Sequence, residues 1–158
     1  MQNRVENFPA NGSLNLTPNP VPPVWVREGA PRAALSTLWK SDDRTATTMV
    51  WECTAGKFDW YYSQEETVHI IDGSVNILLD DGRELCLGPA DTAVFKAGSH
   101  AVWTVPKYVR KVAILRHSLP AVFTYPLLAM RKLKGMARAA LAARRGSNSA
   151  IAEPLAEG

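Results

Sequence analysis

Between Ala33 and His117 the chain keeps to one texture: short runs rich in Val, Ile, Thr and aromatic residues, each closed by a turn signal. Such side chains fit a pleated, half-buried surface, and many such runs in close succession belong to an all-β sandwich or barrel. The runs predict strands over 34–40, 45–54, 58–62, 68–71, 75–80, 84–87, 93–95, 101–105 and 110–117. Asp72-Gly73 and Asp81-Gly82 each sit between apolar runs, and Asp-Gly supplies the positive-φ residues of a two-residue hairpin. Together they predict a three-stranded meander from Val68 to Leu87. Val75, Ile77 and Leu79 alternate with Asn76, Leu78 and Asp80, so one face of that strand is apolar throughout.

The flanks read differently. Pro9, Pro18, Pro20, Pro22, Pro23 and Pro31 oppose both helix and central strand. They predict an extended arm over residues 1–32, with little regular structure, lying on the surface or on a partner subunit. Beyond a barrel at 33–118, Pro120 and Pro126 punctuate a connector, and Leu127–Arg145 has the Leu, Met, Ala, Lys and Arg content of a helix. This gives a basic helical tail over 119–146 and a frayed end over 147–158.

Charge separates the tail from the rest. Arg131, Lys132, Lys134, Arg138, Arg144 and Arg145 are six of the eighteen basic residues, so the net charge of +3 reports the tail and not a basic face on the barrel. Basic residues interleaved with aromatics are absent from the barrel, so no nucleic-acid partner is expected. The tail's expected place is against the barrel or its dimer mate, an anionic membrane surface being the alternative. Cys53 and Cys86 lack metal-ligand or redox spacing and lie in strand-like runs. They predict reduced, buried thiols, and with no apolar leader segment at the N-terminus the expected location is cytoplasmic.

Common catalytic signatures are missing: there is no G-x-S-x-G, no P-loop and no G-x-G-x-x-G, and His69, His100 and His117 form no H-x-H or H-E-x-x-H. What stands out is the run Gly56 to Gly73, with Glu66 ahead of Gly73, followed by Gly88-Pro89-Ala90-Asp91 and Phe95-Lys96-Ala97-Gly98. In order and spacing this set resembles the two motifs of the cupin family over residues 45–117. The wider pattern Trp51, Gly56, Glu66, Gly73, Gly98, Trp103 and Arg110-Lys111 is similar to small one-domain cupins related to ureidoglycine aminohydrolase. The resemblance implies a double-stranded β-helix, or jelly-roll barrel, here followed by a C-terminal helix, and a homodimer. It also implies a metal site of three histidines and a glutamate. Here the histidine positions fall on Trp60, Tyr62 and Ala101, and only Glu66 remains.

A borderline metal wants imidazole or thiolate and at least three protein ligands. The expectation is therefore no cofactor and no bound metal, with a divalent ion at Glu66 as the alternative. The candidate acid/base residues are Glu66, at the barrel mouth, and His100, after the Gly98 turn. His100 is one position off the ligand register and would face outward on a regular strand. Trp60, Tyr62 and Trp103 are the candidate ring-stacking residues and Lys96 the candidate anion contact. The functional expectation is a barrel binding a small polar metabolite. The alternatives are an enzyme using Glu66 as acid/base, and an assembly protein docking through its tail.

Overall fold

The computed structural model describes residues 14–117, together with Pro126, Ala129, Met130, Lys132, Leu133, Lys134 and Met136. The chain divides into two compact units, Met1–Ser118 and Leu119–Gly158. In the second unit the described residues are helical, and Met130, Leu133 and Met136 are exposed. The rest of the helix expected over 127–145, and the end expected over 147–158, fall outside the described residues. Among the described residues no helix is long and apolar enough to cross a membrane.

The first unit is a jelly-roll barrel with nine strands among its described residues: β1 (Thr17–Pro18), β2 (Val26–Gly29), β3 (Ala33–Lys40), β4 (Ala46–Tyr61), β5 (Glu65–Gly73), β6 (Val75–Leu79), β7 (Glu84–Leu87), β8 (Thr92–Phe95) and β9 (His100–Arg116). The order β1-β3-β4-β9-β5-β8 forms one path; β2 adds to β4, and the β6-β7 hairpin adds to β9. β4 and β9 are each one continuous strand where the sequence predicts two. They pair along their whole length, with a register shift that puts Thr54 opposite Tyr108 and Gly56 opposite Val105. That bulge bends the ribbon, so the first half of β4 lies in one wall of the barrel and the second half in the other. Gly56 and Pro106 flank this corner.

The meander expected over Val68–Leu87 is corrected in the same way. β5 and β6 both run along β9, β5 opposite Arg116–Val109 and β6 opposite Thr104–Ala101. Asp72-Gly73 is therefore a step from one wall to the other and not a hairpin turn. Gly73 has φ +72°, and a Cβ there would lie 2.0 Å from the Tyr108 carbonyl oxygen, so only glycine fits. The second Asp-Gly does close a hairpin, on the three-residue loop Asp80-Asp81-Gly82: Leu79 N–H donates to Arg83 O, and Gly82 N–H to Leu79 O.

The arm expected over residues 1–32 is, in its described part, woven into the barrel. Pro18 pairs opposite Ala34 at the sheet edge, where a missing N–H is tolerated, β2 pairs with β4, and Val21 is buried. The core is the inward row of each strand: Trp51 and Cys53, Phe58, Val68 and Ile70, Val75 and Ile77, and Ala101, Trp103, Val105 and Val109. Both cysteines are free; Cys53 is buried as expected, but Cys86 is exposed.

Candidate functional site

Strict alternation carries β9 through the core. Val109, Lys111 and Ala113 face inward, and Arg110, Val112 and Ile114 face outward. A lysine therefore sits at an interior position of an otherwise apolar face, and Lys111 is 1% exposed. Burying an ammonium without a partner is prohibitive. Its partner is Glu66, 4% exposed, on β5: Lys111 Nζ donates to Glu66 Oε1 at 2.6 Å. The register explains the reach. Lys111 lies opposite Ile70, and Glu66 lies opposite Leu115, four residues on and on the same face. The row between them is Ala113 opposite Val68, and the small alanine leaves room for the lysine stem to lie across it.

Three indole rings complete the enclosure. Lys111 Nζ lies 4.4 Å from the Trp103 ring centroid, 4.9 Å from Trp51 and 5.5 Å from Trp60. Trp51 is directly opposite Lys111 in register, whereas Trp60 and Trp103 reach it from the other wall, past the bulge. The negative ring faces stabilise the desolvated cation, each by about 0.5–2 kcal/mol. Beside the pair is a cavity of about 180 Å³ lined by Asn19, Leu35, Met49, Trp51, Trp60, Glu66, Lys111, Ala113 and Leu115. Half-buried Asn19, Leu35, Met49 and Leu115 form its outer part. The Trp51 indole N–H is buried and has no acceptor among the described residues.

The residues singled out in the sequence do not all meet here. Glu66 and Trp60 line the cavity, and Trp103 reaches it only through the Lys111 ammonium. Tyr62 is packed away from the cavity: it is 3% exposed, stacks on Phe95 at 4.4 Å, and accepts a hydrogen bond from Trp103 Nε1 at 2.9 Å. Burial, and next the negative charge of Glu66, push its phenol far above the usual range. Lys96 and His100 line a separate groove of about 500 Å³ with Asp80, Arg83, Leu85 and Phe95. The reason is parity: Phe95 and Ala101 take the inward positions, so their neighbours Lys96 and His100 take outward ones.

His100 joins a surface chain instead. Its Nδ1 meets Asp80 and its Nε2 meets Asp59, both at 2.7 Å, and Arg27 donates twice to Asp59. Asp80, and then Asp59, raise the His100 pKa against the lowering effect of burial. Arg27, and then His100, hold the Asp59 carboxyl below the ordinary range. Glu65 likewise faces out and pairs with Arg116.

Lys111 and the cavity-lining role of Trp51 were missed by the sequence reading. The signal for Lys111 was available, since alternation of Val109, Lys111 and Ala113 places a charge on an apolar face. Its pairing was not, because Glu66 and Lys111 are far apart in the chain. Nor do these residues fit a metal ion. The ligand positions implied by the cupin resemblance hold Trp60, Tyr62 and Ala101, and the ammonium of Lys111 already occupies the remaining carboxylate. Among the described residues no group of three or more His, Cys, Asp or Glu side chains is placed to hold a metal ion.

The cupin domain matched by residues 40–113 and a solved structure from Pseudomonas syringae agree with this architecture. Residues 40–113 match the EutQ-like cupin domain. A structure of a DUF861-family protein of unknown function from Pseudomonas syringae is similar at 26% identity and TM-score 0.61, over 65% of this chain and 45% of that one. The EutQ protein of Clostridium difficile is 21% identical over 55% of this chain and 69% of its own, at TM-score 0.49. A DUF861-family protein from Thermotoga maritima is 34% identical over 40% of this chain and 73% of its own, at TM-score 0.39. The chain thus spans less than half of the Pseudomonas protein. A comparison with curated protein sequences finds no match.

Proposed function

We propose, from the premise that the chain belongs to the cupin superfamily, that its barrel binds a small polar metabolite beside the Glu66–Lys111 pair without a conventional metal. The observation that carries this reading is the pair itself: opposite charges 2.6 Å apart on the wall of a cavity of about 180 Å³. A packed core has no need of such a feature, since apolar residues of similar volume stabilise as well or better. In a binding site the pair offers a donor and an acceptor side by side, framed by apolar walls that exclude water. The Trp51 N–H adds a second donor in want of an acceptor. A cytoplasmic homodimer is the setting we propose for the site.

The test is a screen of small polar metabolites against the wild type and Glu66→Gln, following the tryptophan indole N–H signals by NMR. The variant keeps the shape and an acceptor oxygen but loses the charge. The reading expects hits that shift the Trp51 and Trp60 signals and bind Glu66→Gln at least tenfold more weakly. Hits indifferent to the variant would refute it.

One observation favours a second reading, in which the tail docks on an anionic surface. Met130, Leu133 and Met136 recur at helical spacing, are exposed, and lie next to Lys132 and Lys134. Deleting residues 127–158 should then abolish sedimentation with anionic vesicles; unchanged sedimentation would end that reading.

A further inference from the structure

We infer that Lys111 captures an uncharged short-chain aldehyde or ketone as a protonated Schiff base, with Glu66 as the proton carrier. The inference rests on the proposed binding role of the same cavity and adds a reaction and a substrate class to it.

Three observations converge. First, Lys111 is the only amine lining the cavity among the described residues, and it is almost wholly withdrawn from water. A desolvated lysine beside a proton acceptor is the arrangement that makes amine nucleophiles effective against carbonyl carbon. Second, Glu66 Oε1 is 2.6 Å from Nζ, within direct proton-transfer distance, and among the described residues no hydrogen bond goes to Oε2. Third, Trp51, Trp60 and Trp103 surround a cation at the Nζ position. A protonated imine keeps its positive charge there, so the same ring faces that hold the ammonium hold the product.

The step balances within the pair. The Lys111 ammonium gives one proton to the Glu66 carboxylate, leaving a neutral amine and a carboxylic acid. The amine lone pair forms the N–C bond to the carbonyl carbon, the C–O π pair moves to oxygen, and a proton passes from nitrogen to that oxygen. Glu66 then protonates the hydroxyl, the C–O bond breaks, water departs, and the nitrogen lone pair closes the C=N bond. The result is an iminium beside a restored carboxylate, with one water released and no oxidant or reductant required.

The lining sets the substrate class. The cavity is equivalent to about six water molecules of liquid volume, which suits a molecule of a few carbons. Leu35, Met49 and Leu115 provide an apolar wall for an alkyl chain. The pair is electrically balanced and among the described residues no second cation lines the cavity, so a carboxylate-bearing carbonyl compound would meet Glu66 without compensation.

The experiment incubates the full chain with butanal and cyanoborohydride, then maps modified lysines by peptide mass spectrometry over time. 1-Butanol, which cannot form an imine, is titrated in parallel against the tryptophan indole signals. Burial alone would make Lys111 the last lysine to react, after exposed Lys40, Lys96 and Lys107. The inference expects it first, at least tenfold faster than those three, and about 10²-fold slower in Glu66→Gln as the proton carrier is lost. Lys111→Arg should abolish the fast phase; should that variant not fold, the site of the wild-type adduct still decides. Butanol shifts at Trp51 with Lys111 labelling last would overturn the Schiff base and leave the binding role standing. Neither shifts nor labelling at Lys111 would remove both.

Discussion

Replacing Lys111 with Met tests whether the ion pair is as desolvated as its geometry implies. The Lys111 and Glu66 side chains are 2% and 6% exposed. Removing one partner leaves the other charge buried alone, a loss of about 3–5 kcal/mol, or roughly 6–20 °C in Tm for a chain of this size. The reverse removal, Glu66→Leu, should cost less by about 1–2 kcal/mol, because the orphaned ammonium keeps its three indole faces whereas an orphaned carboxylate has no comparable partner. Removing both charges together restores a neutral interior, so Glu66→Leu/Lys111→Met should fall within about 1.5 kcal/mol of the wild type. The cycle should thus close with a coupling of at least about 2.5 kcal/mol. Urea unfolding followed by tryptophan fluorescence reads all four proteins, since the reporter rings surround the pair. Losses that simply add, or a Lys111→Met protein as stable as wild type, would refute a desolvated pair.

Other consequences follow from separate parts of the barrel. His100 has its pKa raised by Asp80 and Asp59, so its contribution to stability is complete below its ordinary pKa of about 6.5 and fades as pH rises through the raised value. The Tm difference between wild type and His100→Gln should therefore be larger at pH 6 than at pH 9; the opposite order would contradict the two-carboxylate clasp. Gly73→Ala should lose more than about 3 kcal/mol, since it combines a positive φ with a backbone collision, while Gly82→Ala, with φ +82° and open space, should lose about 1 kcal/mol. Equal losses in thermal melts would show that the collision at Tyr108 is absent. Burial pushes the Cys53 thiol up to about 12, so an aromatic disulfide reagent should titrate one thiol, Cys86, in the native chain and two after denaturation.

The barrel was legible from its runs because alternation and turn residues are local properties. Glu66 was legible from spacing, and its shared face with Val68 and Ile70 from parity. What failed was anything set by distant pairing. Gly73 and Gly56 carry the chemistry of turns, and only the long β9 partner turns them into corners. Pro18 and Pro20 argue against strand, yet a free sheet edge accommodates the segment that contains them. A single lysine in a strand ordinarily faces water, which masks Lys111. Its inward parity could be read, but the carboxylate that makes burial tolerable comes from another strand. Parity also explains why Lys96 and His100 lie apart from Glu66, although all three are near the ends of neighbouring strands.

Soaking crystals of the protein with a cocktail of small polar molecules addresses the central claim most directly. The account predicts density for a bound molecule between Glu66, Lys111 and the Trp51 indole N–H, with a ligand oxygen within hydrogen-bond distance of Lys111 Nζ. Density confined to the Lys96–His100 groove, with leucine and methionine side chains closed over the ion pair, would contradict it.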